Sequence, residues 1–118
     1  MARHLELGAI GEDLVARHYE RHGYLVVARN WRCPDGELDV VARRGALVAF
    51  CEVKTRSNDR FGGGAAAVGV TRQRRLRHAA MAWMRERDGS AWVDVRFDVA
   101  VVRVRGETFS IEMIEAAF

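Results

Sequence analysis

Lysine is almost missing from this chain: of its nineteen basic residues, eighteen are arginine and only Lys54 is not. Proline occurs once and cysteine twice. No apolar run approaches the roughly 20 residues that a membrane-spanning helix needs, and the N-terminus lacks the apolar core of a signal peptide. A cytoplasmic protein with no membrane partner is expected. Cys33 and Cys51 form no Cys-x-x-Cys pair and have no histidine pair beside them, which excludes a recognisable zinc site and points to two free thiols. His4, His18, His22 and His78 show no ligand spacing. His18 and His22 stand four apart on an expected helix, but without a third ligand they read as a solvated face.

Disorder is excluded too. Hydrophobic residues make up 49% and charged residues 30% of 118, enough apolar surface for one packed core and too short a chain for a second. A single domain over residues 1–118 is expected.

The charge is concentrated more than its total suggests. Lys54, Arg56, Arg60, Arg72, Arg74, Arg75 and Arg77 face only Asp59 between residues 54 and 77, a block of +6 in a chain whose net charge is +3. Such a block matches the repeated charge of a phosphate backbone, although a solvated arginine-rich helix face would look the same.

Residues 5–22 show the period of an amphipathic helix, with Leu7, Ile10, Leu14 and Val15 near one stripe, Glu12 beside it and Gly23 where a helix commonly ends. Strands are expected at Tyr24–Arg29, Leu38–Ala42 and Ala46–Thr55, the first two separated by the turn residues Cys33-Pro34-Asp35-Gly36 and the last two by Arg43-Arg44-Gly45. The third strand is apolar on both faces in its middle, as a central strand should be. After a loop containing Gly62-Gly63-Gly64, Thr71 is the expected N-cap of a helix reaching about Arg87, with Leu76, Ala79, Ala80, Trp83 and Met84 inward. Strands near Phe97–Val102 and Thr108–Ile111 follow. The order argues an α/β fold with a mixed five-stranded sheet flanked by helices.

Within that frame Glu52 and Lys54 lie two apart on one strand, so they share a sheet face roughly 7 Å apart at about 3.4 Å per residue. Burying a carboxylate and an ammonium costs on the order of several kcal/mol per ion unless each is partnered. A two-residue turn at Arg44-Gly45 would pair Asp39 with Phe50 and set it diagonal to Glu52, on the same face. Two converging carboxylates suit Mg²⁺ or Mn²⁺, with the Val53 carbonyl as a further oxygen ligand. A bound ion would acidify a water and offset charge on a scissile phosphate. Lys54 would then orient the water or stabilise developing charge, and Glu12 would add a carboxylate from the helix. The plainer alternative is that Glu52 and Lys54 pair with each other while Asp39 caps the hairpin.

The segments Gly11-Glu12, Gly23-Tyr24, Ala28-Arg29-Asn30-Trp31-Arg32, Gly36-Glu37-Leu38-Asp39, Glu52-Val53-Lys54-Thr55-Arg56, Phe61-Gly62 and Arg96-Phe97-Asp98-Val99 resemble, in order and over nearly the whole chain, the bacterial YraN-type family. That family is assigned to the PD-(D/E)xK nucleases and is similar to archaeal Holliday-junction resolvases, which cut four-way DNA as Mg²⁺-dependent dimers. The resemblance implies a restriction-endonuclease-like core, with Glu12 as the helix carboxylate, Asp39 and Glu52 as metal ligands and Lys54 as the motif lysine. It also implies a homodimer, and places Gln73 where related proteins carry a polar site residue. Pro34-Asp35 spells the superfamily's letters but sits in a turn and reads as a decoy.

Three functions remain open at this level. A metal-dependent endodeoxyribonuclease would cut DNA, including branched DNA, with Arg56, Arg60, Arg72, Gln73, Arg74 and Arg75 at the nucleic acid. A nucleic-acid-binding module would keep the core with little activity. A protein-interaction domain would use the fold without nucleic acid.

Overall fold

A computed structural model describes residues 2–57, 68–87 and 94–118. Helix α1 (Ala2–Arg21) ends in a Schellman motif. The Tyr24 N–H reaches the Tyr19 carbonyl at 3.0 Å and the Gly23 N–H reaches Glu20 at 3.1 Å. Gly23 takes φ +85°, a left-handed conformation that costs glycine little. The buried line of α1 differs from the expected stripe: Val15 and Tyr19 are buried, whereas Ile10 is 45% exposed. The cause is a close approach at Gly11, where a Cβ would drive into the Thr55 hydroxyl. Gly11, Val15 and Tyr19 then follow one another at steps of four along the contact, and Ile10 lies about 100° round the helix from Gly11.

Strands β1 (Leu25–Cys33) and β2 (Gly36–Arg44) form a hairpin whose turn is Pro34-Asp35, so β1 runs four residues past its expected end. Strand β3 (Leu47–Arg56) pairs antiparallel with β2. The turn between them is Gly45-Ala46, not Arg44-Gly45, with Gly45 at φ +60°; glycine first in a two-residue loop is the pattern of a type II′ hairpin. Val40 therefore faces Cys51 and Val41 faces Phe50, a two-residue correction to the expected register. A shift of two preserves the face of every side chain.

From β3 the chain crosses through α2 (Val70–Arg85) to β4 (Asp94–Arg105), which lies parallel to β3, and β5 (Thr108–Ile114) returns antiparallel. The sheet order is β1-β2-β3-β4-β5, with β3 central. The N-cap of α2 is Gly69 rather than Thr71. Gln73 secures that end, its backbone N–H bonding the Gly69 carbonyl and its side chain the Val68 carbonyl, both at 2.9 Å.

The helices cover opposite faces. Leu76, Ala79, Ala80 and Trp83 of α2 pack with Leu38, Val41, Phe50, Phe97 and Val99. Val15 and Tyr19 of α1 pack with Val40, Ala42, Cys51, Ala100 and Val102. This is the α/β architecture of a restriction-endonuclease-like core. None of the described helices is long and apolar enough to cross a membrane.

Candidate metal and phosphate site

Strict alternation along β2 would put Leu38 and Val40 on one face, yet Leu38 packs with the α2 cluster and Val40 with the α1 cluster. The alternation breaks at Asp39. Its neighbour across β1, between the pairs Arg29–Val40 and Trp31–Leu38, is Asn30, whose φ of +51° marks the matching irregularity. The β2–β3 ladder also stops here, after Val40–Cys51. In place of a backbone acceptor, the Asp39 carboxylate takes the Val53 N–H at 2.9 Å.

Asp39 and Glu52 thus meet where two strands part, and they are only 6% and 5% exposed. Burial above all, then the charge of Glu52, pushes the Asp39 carboxyl up to about 8, with a hydrogen bond shared between the two carboxyls and the charge of Glu12 acting in the same direction. The Val53 N–H opposes that rise. A buried carboxyl beside a second one keeps a proton because two adjacent negative charges cannot both be solvated there.

Glu52 has two cationic partners. Arg72, in the first turn of α2, donates from Nε to Oε2 and from Nη2 to Oε1, both at 3.1 Å. The Lys54 Nζ stands 3.7 Å from Oε2. The bond to Glu52 raises the Arg72 pKa further. The planar guanidinium covers both carboxylate oxygens at once, which an ammonium cannot do.

The residues singled out from the sequence separate as follows. Asp39, Glu52 and Lys54 come together, with the Val53 backbone between the two acids. Glu12 approaches from α1 closely enough to act on Asp39 through its charge, but among the described residues no group of three His, Cys, Asp or Glu side chains surrounds one point. Two carboxylates and a carbonyl still fit Mg²⁺ or Mn²⁺, since such ions take one or two carboxylates and complete their shell with water and phosphate oxygens. The raised pKa of Asp39 expresses the same demand for positive charge. Arg72 holds Glu52 rather than standing free, and Gln73 is spent on the helix start. Arg74 and Arg75 are exposed on α2, and Arg56 bonds the Thr55 carbonyl at 3.1 Å. Arg60 lies outside the described residues, as do Phe61-Gly62 and the Gly62-Gly63-Gly64 loop.

A second buried charge, which sequence reasoning left without a role, lies on the other face. Asp98 is fully buried, held by Arg96 through Nε and Nη2 at 2.8 Å, by the Tyr19 hydroxyl at 2.6 Å and by the Ala116 N–H at 3.1 Å. Burial, reinforced by the neighbouring Cys51 and Asp98, pushes the Tyr19 hydroxyl far above its ordinary pKa, so it remains a donor. This network ties α1, β4 and the C-terminal segment together. Its signal in the sequence is the spacing that betrayed Glu52 and Lys54: two opposite charges two apart in an apolar strand.

Residues 11–102 match the model of the family described as "Uncharacterised protein family UPF0102". A UPF0102 protein of Mycolicibacterium vanbaalenii is 52% identical over 99 residues, covering 84% of this chain and 81% of the relative. One from Nocardia farcinica is 46% identical over 113 residues, with 95% and 88% covered. One from Rhodococcus jostii is 44% identical over 119 residues, with both chains covered completely. The span matched by the family model contains Glu12, Asp39, Glu52, Lys54 and Asp98, and the chain belongs to the UPF0102 family.

Proposed function

We propose that Asp39, Glu52 and Lys54 form a divalent-metal centre for phosphodiester hydrolysis in DNA, including branched DNA. The observation that carries this reading is the break between β2 and β3, where two nearly inaccessible carboxylates converge beside the chain's single lysine. A fold gains no stability from placing two acids together in a strand gap; burying them costs on the order of several kcal/mol unless a cation compensates. The resemblance of the surrounding segments to PD-(D/E)xK nucleases points to the same chemistry.

Asp39, Glu52 and the Val53 carbonyl would hold Mg²⁺ or Mn²⁺. The ion, when bound, supplies an acidified water and a counter-charge for the scissile phosphate. Lys54, 3.7 Å from Glu52, would hold the attacking water or meet negative charge developing on a phosphate oxygen. Arg56, Arg74 and Arg75 supply positive charge for the flanking phosphates, which fixes the position of a duplex without reading its sequence. Glu12 adds negative charge from α1 that favours cation binding at Asp39.

A second reading, a nucleic-acid-binding module with little activity, draws on the Arg72 fork that already satisfies Glu52. The deciding experiment is incubation with labelled linear, flapped and four-way DNA in Mg²⁺ or Mn²⁺, beside Asp39→Ala. Metal-dependent cleavage lost in Asp39→Ala supports the nuclease. Binding to all substrates without cleavage, unchanged or stronger in Asp39→Ala, supports the module.

A further inference from the structure

Every oxygen of Glu52 that a metal would use is taken. Oε1 accepts from Arg72 Nη2, and Oε2 accepts from Arg72 Nε with Lys54 beside it. A divalent ion ligated by Glu52 must approach the same two oxygens that the guanidinium already spans and would meet its like charge there, so ion and guanidinium compete for one carboxylate. Lys54 does not compete equally, because at 3.7 Å from a single oxygen it can remain while the other oxygen turns to a metal.

Arg72 also has somewhere to go. Its side chain is 39% exposed, against 6% for that of Glu52. It lines an open groove of about 640 Å³ between the β1–β2 turn and α2, together with Arg32, Gly36, Glu37 and Arg75. Glu37 in that groove is already bonded by Arg32 at 3.1 Å. A phosphate diester entering the groove would present two non-bridging oxygens, which a guanidinium fork can grip as a pair just as it grips a carboxylate.

We propose that Arg72 is an exchangeable counter-ion that holds Glu52 while the site is metal-free and transfers to a backbone phosphate as the metal loads. This inference rests on the metal-centre reading and adds its regulation. Its consequence is reciprocal coupling: DNA that draws Arg72 away frees Glu52 for metal, and metal that displaces Arg72 frees a guanidinium for DNA. Without DNA the ion binds weakly, which keeps the hydrolytic centre unloaded away from its substrate. Arg72 on this account acts on the metal through Glu52 and on the DNA through its own contact with a backbone phosphate.

The test measures Mn²⁺ affinity by electron paramagnetic resonance in the wild-type chain, Arg72→Met and Arg72→Lys, all without nucleic acid. Arg72→Met should bind Mn²⁺ at least roughly tenfold tighter than wild type, since losing even one of the two competing charge-assisted hydrogen bonds is worth about that factor. Arg72→Lys, whose ammonium cannot cover both oxygens, should fall between, and it serves as the test if the Met variant does not fold. In a second arm, fluorescence anisotropy of a labelled duplex should show Mn²⁺ tightening the wild-type complex and leaving that of Arg72→Met unchanged. Equal or weaker Mn²⁺ binding by the variants, with wild type binding normally, overturns the exchange and leaves the metal centre standing. Absence of Mn²⁺ binding in all three overturns both.

Discussion

Replacing Asp39 by asparagine should make the metal-free protein more stable at alkaline pH. The native chain holds the Asp39 proton up to about pH 8, whereas an unperturbed aspartate releases it near 3.8. Below about pH 4 both states are protonated and the group contributes no difference. As pH rises from about 4 to about 8, the unfolded chain sheds a proton that the folded chain keeps, so stability falls, and above about 8 the full penalty is present. A gap of about four pH units, at about 1.36 kcal/mol each, sets a ceiling of about 6 kcal/mol. Polarisable surroundings reduce this to roughly 2–4 kcal/mol. The substituted amide would carry no proton to lose, its oxygen could still accept the Val53 N–H now bonded at 2.9 Å, and its NH₂ group could donate to Glu52. Urea denaturation followed by tryptophan fluorescence between about pH 4.5 and 9 should show the two proteins nearly equal at the acid end and diverging in favour of Asp39→Asn at the alkaline end. A variant less stable than wild type at the alkaline end, or a gap that does not change with pH, would refute the reasoning.

Three further outcomes follow from the packing and charge. Arg96→Met leaves the buried Asp98 without its guanidinium partner and should cost about 3–5 kcal/mol of stability by chemical denaturation; a loss under about 1 kcal/mol would mean that Tyr19 and the Ala116 N–H suffice. Gly11→Ala should destabilise by about 1–3 kcal/mol because its methyl meets Thr55, whereas Gly8→Ala, which meets nothing within 4 Å, should gain up to about 1 kcal/mol from helix propensity; thermal melts in which both substitutions shift the same way would contradict the docking of α1. Arg74→Ala and Arg75→Ala should each weaken DNA binding and lower the slope of log affinity against log salt by about 1, if each contacts one phosphate; unchanged slopes would remove α2 from the DNA path.

The order of elements was legible because hydrophobic periods of about 3.6 and 2 survive tertiary packing, and the central place of β3 followed from its apolar middle. The same-face relation of Asp39 and Glu52 was legible for a narrower reason: the turn moved by one residue, the register moved by two, and parity was preserved. What could not be read was the gap itself. It depends on an irregularity shared by Asn30 and Asp39 on different strands, and Asn30 looks like an ordinary turn former. The partner of Glu52 was hidden differently. Arg72 stood among many arginines in a basic block, and only the β3–α2–β4 crossover brings the first turn of α2 over the strand that carries Glu52. Ile10 misled because a helix docked through a glycine buries the line of that glycine rather than its most apolar neighbours.

The central claim is that a divalent ion belongs between Asp39 and Glu52, and diffraction from crystals soaked in Mn²⁺ and recorded near the manganese absorption edge tests it most directly. One anomalous peak within coordination distance of both carboxylates and the Val53 carbonyl, with Arg72 turned away from Glu52, is the predicted result. A map without a peak there at saturating Mn²⁺, with the Arg72 fork still closed on Glu52, would contradict it.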